Sequence, residues 1–159
     1  MAKSYDIDNI MALPSDKEFA LTLHGKLGEM VARQEWLKTD GEFNFYEAYT
    51  CNRGVNFDGF DGWFMNGAAT PLKDGYGALV AVGAHRRAKL LKFAMGIFPD
   101  GEPPEDESYM EIVENLTPEQ KAALDNPFSH FTALDYDDTP EDLCRLLRAY
   151  VQQHIQEFR

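Results

Sequence analysis

Cysteine is scarce in this chain: only Cys51 and Cys144 occur among 159 residues. Two thiols exclude a disulfide framework, and no C-x-x-C pair or Cys/His cluster marks a zinc site. No apolar run approaches the roughly 20 residues of a membrane span. The start, MAKSYDIDNIMALPSDKEF, lacks a basic segment followed by an apolar one. A signal peptide is therefore not expected, and a cytoplasmic location is. No stretch keeps a period-two alternation, which speaks against a sheet, and no internal repeat is visible. Cations are also few, 15 Lys and Arg against 27 Asp and Glu, for a formal net charge of −12. That balance argues against direct contact with nucleic acid or an anionic membrane, and allows a basic partner protein.

Catalytic motifs are missing as well. There is no P-loop, no G-x-S-x-G and no H-E-x-x-H. The glycine-rich GYGALVAVG, residues 75–83, has Val80 where a dinucleotide fingerprint needs its third glycine. His24, His85, His130 and His154 are scattered without metal spacing. No catalytic residue, metal or cofactor is expected, and the chain is read as a non-enzyme.

What the sequence does contain is helical periodicity. Residues 1–14 read as a flexible arm, and residues 15–159 as one helical domain. Ser15 and Glu18 form a capping box that opens a helix to about Lys38, with Phe19, Leu23, Leu27, Met30 and Val31 as its stripe. Thr39-Asp40-Gly41 breaks that helix, and a second is predicted over 42–53. Helices are also predicted over 74–84 and 85–98, the latter apolar nearly all round and so central and buried. A linker spans 99–104. Tyr109, Ile112, Val113 and Leu116 lie at helical spacing in 105–116. Thr117-Pro118 starts a brief helix to Leu124, 126–138 reads as irregular, and Thr139-Pro140 opens the last helix. The expected fold is all-α, one compact domain of about six to eight helices.

The charge is concentrated. Residues 100–142 hold 14 carboxylates and Lys121 as their one cation. The remaining residues nearly balance. Within the segment, Glu107, Glu111 and Glu114 repeat at i, i+4 and i+7 on the face opposite the apolar stripe. Side chains so spaced stand roughly 5–6 Å apart. Such a row can offer a line of negative charge resembling a strand of phosphates. Asp100, Glu102, Glu105 and Asp106 precede it, and Asp135, Asp137 and Asp138 form a second cluster, with Glu141 and Asp142 beside it. These acids are candidates for a partner-binding surface on charge density alone. A solvated acidic face is the plainer alternative. His85, Arg86, Arg87, Lys89 and Lys92 form the one basic cluster, either a helix-end charge cluster or a counterpart to the acidic segment or to the partner subunit of a dimer.

One further stretch is unusual: GFDGWFMN, residues 59–66. Its glycines permit a sharp turn between helices. Phe60, Trp63 and Phe64 are expected to bury against the helix over 85–98, and Asn66 to satisfy backbone groups at the turn's end. The order Gly59, Phe60, Trp63, Phe64, Asn66, then Gly83-Ala84, then Phe98-Pro99, resembles the marker of a bacterial DNA-mimic protein family, formerly a domain of unknown function. The resemblance covers most of residues 43–158. It implies an acidic helical protein, possible as a homodimer, that occupies a basic DNA-binding protein such as a helix-turn-helix transcription regulator. The expected function is therefore competition with DNA for that regulator. The alternatives are an immunity-type inhibitor of a basic toxin or nuclease, and a small-molecule binder or enzyme built on GFDGWFMN.

Overall fold

The computed structural model describes residues 3–66, 69–136 and 141–159, with side chains of 69–73 and 136 excepted. Eight α-helices run in order through these residues, and no strand occurs among them. They are α1 (Ile7–Met11), α2 (Asp16–Ala32), α3 (Asp40–Asn66), α4 (Ala69–Ala81), α5 (His85–Ala94), α6 (Ser108–Glu114), α7 (Pro118–Tyr136) and α8 (Leu143–Gln153). Short 3-10 turns follow α5 at Met95–Ile97 and α8 at Ile155–Glu157. The fold is a single compact all-α domain, as the periodicity implied.

Local chemistry explains most helix ends. Ser15 caps α2 by accepting from the Glu18 N–H at 3.1 Å, and its hydroxyl reaches the Glu18 carboxylate at 3.1 Å. Thr117 and Gln120 cap α7 reciprocally, at 3.1 and 2.8 Å. Asp142 caps α8 through the Arg145 N–H at 3.1 Å. Thr39 accepts from the Glu42 N–H at 3.1 Å, so the predicted break is the start of α3.

Helix α2 ends at Ala32, six residues before the predicted stop. Gln34 adopts φ 59°, the Glu35 N–H donates to the Met30 carbonyl at 2.9 Å, and the Gln34 N–H donates to Val31 at 3.0 Å. This is a Schellman ending built without glycine, so no residue type announced it. Helix α4 ends by the same pattern, now with Gly83 at φ 85° and the Ala84 N–H donating to Leu79 at 2.8 Å.

Helix α3 is the centre of the domain, touching α2, α4, α5, α6, α7 and α8. It runs well past the predicted end at 53 and kinks at Gly59, where φ is 74° and ψ is 176°. Only glycine readily occupies that region. Fully buried phenylalanines line the core in linked pairs. Phe45 meets Phe19 at 6.0 Å and Phe158 at 6.4 Å, both edge to face. Phe60 meets Phe131 at 5.5 Å, and Phe64 meets Phe98 at 5.3 Å.

Four further expectations are corrected. The supposed N-terminal arm carries α1, and Tyr5, Ile7 and Ile10 belong to the core. Its backbone is held by Arg148, whose guanidinium donates to the Met11 and Leu13 carbonyls at 2.6 and 2.7 Å. The helix predicted over 74–84 runs instead over Ala69–Ala81. Helix α5 is one-faced: Ala88, Leu91 and Ala94 are buried, but Phe93 is 67% exposed. Helix α7 continues through Pro127 to Tyr136 where an irregular segment was predicted. Leu124, Pro127 and Phe131 are buried and Phe128 is half-buried, a stripe at i, i+3, i+4 and i+7. Burial of that stripe against α3 and α5 outweighs the helix-breaking tendency of proline. Thr139 and Pro140 lie outside the described residues.

Candidate functional site

The acidic segment divides into two parts that do different work. Asp100, Glu102, Glu105, Asp106, Glu107, Glu111 and Glu114 are all exposed. Glu107 is the N-cap residue of α6, and Glu111 and Glu114 follow on its outward face. Val113 and Leu116 bury the opposite face, and α6 packs on α3. Rotation of α6 is thereby fixed, and its carboxylates face solvent. Asp106 has a local role at the start of α6. It accepts from the Ser108 N–H at 3.0 Å and from the Ser108 hydroxyl, and these bonds hold its carboxyl below the usual range. No Lys, Arg or His occurs anywhere in residues 100–120. Glu119 and Asp125 on α7 add exposed acids that spacing had not singled out.

In the second cluster, Asp135 and Glu141 meet a buried cation. Asp135 lies against Arg87, whose Nη2 donates to it at 2.8 Å, and Asn52 and Asn56 also donate to its carboxylate. Glu141 is buried and accepts from the Arg86 and Arg87 backbone N–H groups at 2.6 and 2.8 Å. Its carbonyl accepts from Arg87 Nη1. Arg87 itself is 0% exposed, with Asn52 Oδ1 accepting from its Nε at 2.9 Å. So one cation of the basic cluster does meet the acidic segment, inside the fold. Asp135 is therefore taken up by Arg87, and Asp137 and Asp138 lie outside the described residues.

The GFDGWFMN motif is packed core at its aromatics. Phe60, Trp63 and Phe64 are buried. Phe64 reaches Phe98, as predicted, but Phe60 packs on Phe128 and Phe131 of α7 instead. Trp63 lies so close to Gly54 that a Cβ there would fall 2.2 Å from its ring. Asn66 donates to the Asp58 side chain at 3.2 Å rather than to backbone.

Other titratable groups are spread through the fold. His24 stacks on Tyr46 with ring centroids 4.9 Å apart, and burial, aided by Arg53, pushes it down to about 4. Burial raises both Cys51 and Cys144, which makes them poor nucleophiles. Burial pushes Glu42 up, but hydrogen bonds from Lys3, Tyr5 and the Lys38 N–H hold it below the usual range overall. Among the described residues no group of three or more His, Cys, Asp or Glu is placed to hold a metal ion. Among the described residues no helix is long and apolar enough to cross a membrane. Glu47, half-buried near Asp74, and the neighbouring exposed Trp36 were not picked out from sequence. Neither stands in a motif or a charge run.

The described residues define an all-helical protein with exposed acids over residues 100–114. The chain belongs to the DMP19-like protein family, whose model matches residues 37–154. This is the DNA-mimic family that the glycine-aromatic marker resembled. No curated protein and no solved structure matches the chain.

Proposed function

We propose that this protein is a DNA mimic that binds a basic DNA-binding protein, such as a transcription regulator, and competes with DNA for it. One observation carries the reading. The seven carboxylates of residues 100–114 face solvent on and before a helix whose other face is anchored. Exposed anionic groups gathered in one segment answer the lysines and arginines that a DNA-binding protein turns toward phosphates. It needs no catalytic group, and the protein acts by occupancy without turnover.

The experiment is capture of partners from source lysate on the immobilised protein. A basic DNA-binding protein should be retained at low salt and released by raised salt or by added duplex DNA. Retention of a nuclease or toxin would favour the immunity-type alternative. Recovery of no basic protein, or of one that DNA does not displace, would defeat the proposal.

A further inference from the structure

We propose that a groove beside the α2–α3 junction, lined by Trp36, Phe43, Tyr46 and Glu47, receives a lysine or arginine side chain presented by a partner protein. That the partner is a DNA-binding protein rests on the preceding reading; the cation site does not. The groove encloses about 570 Å³ and also includes Val31 and Leu37. It lies on α2 and α3, outside the acidic segment of residues 100–142.

Trp36 is 87% exposed, and Phe43 and Val31 are exposed beside it. An aromatic cluster left to solvent at the rim of a groove is the composition of recognition sites. Aromatic faces attract cations, tryptophan most strongly, when the charge comes within about 6 Å of the ring. Tyr46 is fixed from one side by the stacked His24. That imidazole stays neutral at pH 7, so it adds no opposing positive charge behind the ring.

Glu47 decides the sign of the occupant. It is half-buried and has no cationic partner among the described residues. The titratable groups facing it are Asp74 on α4 and the buried Cys51 one turn further along α3. Glu35, at the rim, is paired with Arg33 at 3.1 Å. Burial and then Asp74 push the Glu47 carboxyl up to about 7. A carboxylate so placed lacks a counter-charge. An arriving ammonium or guanidinium supplies one and expels the proton. An anionic occupant meets Glu47, Asp74 and a net charge of −12. A purely apolar occupant leaves the carboxyl desolvated and unpaired.

The chain has two tryptophans, Trp36 exposed and Trp63 buried, so their indole N–H signals report separately. The full-length ¹⁵N-labelled protein is titrated with N-acetyl-arginine amide, N-acetyl-lysine amide and the neutral isostere N-acetyl-citrulline amide. The arginine and lysine probes should move the Trp36 signal and leave Trp63 in place. The citrulline probe should bind about tenfold more weakly. Affinity for the cations should rise between pH 6 and 8, and Glu47→Gln should remove that rise. Glu111→Gln with Glu114→Gln should leave probe binding unchanged, which separates this site from the α6 acids. An unmoved Trp36 signal, equal binding of citrulline, or full affinity in Glu47→Gln would each overturn the proposal. Failure to capture a basic DNA-binding protein from lysate would defeat the mimic reading and leave the cation site standing.

Discussion

Glu141 caps the first turn of α5 and also faces the guanidinium of Arg87, which α5 carries. Its Oε1 accepts from the Arg87 N–H at 2.8 Å and lies 3.4 Å from Arg87 Nη1. Helix α5 has no side-chain cap of its own, because its N-cap residue is Ala84. A residue 54 positions away supplies one. Removing either partner strands the other charge in a buried site. Arg87→Ala and Glu141→Ala should each cost about 3–5 kcal/mol. Chemical denaturation of both single variants and the double variant checks this. The double variant should lose clearly less than the sum, since the two charges share one network.

Asp135 and the α6 acids should separate by experiment. Asp135→Ala removes an acceptor of a buried guanidinium and should destabilise the fold by about 1–3 kcal/mol. Glu111→Gln with Glu114→Gln touches only exposed groups and should change stability by less than about 0.5 kcal/mol. If the α6 face contacts the partner, the second pair should weaken capture while the melting curve stays put.

Gly59→Ala places a side chain at φ 74° and ψ 176°, a conformation nearly closed to it, and should cost about 1–3 kcal/mol. Gly54→Ala drives a methyl group against the Trp63 ring, with a loss of similar size from overpacking. The two can be told apart by near-UV circular dichroism, because only the second must displace the indole.

Glu47 makes stability depend on pH with a definite sign. Burial, and then Asp74, raise its carboxyl from the ordinary 4.5 to about 7 on folding, so the folded state prefers the proton. The stability it contributes is full below pH 4.5 and is lost as pH rises through 7. Glu47→Gln keeps the neutral form at all pH values. At pH 8 it should be more stable than the parent by about 1–2 kcal/mol, after allowing for the partial exposure of the group. The difference should vanish near pH 4. Denaturant midpoints across that range test it.

Much of the helical plan was legible because it depends on neighbours in the chain. The Ser15–Glu18 and Thr117–Gln120 boxes need only three residues of spacing, and both form. Where the reading failed, a distant contact decided. Residues 126–138 read as irregular, yet Phe128 and Phe131 lie on Phe60 and hold α7 helical past Pro127. Gln34 gave no sign that it would adopt a left-handed turn and end α2. Tyr5 and Lys3 gave no sign that Glu42 would hold them, Tyr5 at 2.6 Å and Lys3 at 2.7 Å, and so order the N-terminal segment.

The same division runs through the charge. The sequence alone determined the helical class, the family marker and the concentration of acids in residues 100–142, since composition and short-range periodicity settle these. Only the tertiary structure decided which acids meet a buried cation. Glu111 and Asp135 are the same kind of group in the same segment. One stands on a helix whose far side is buried, and the other meets a guanidinium sealed in the core. A buried charge must find its opposite, and where that opposite lies is a property of the folded chain.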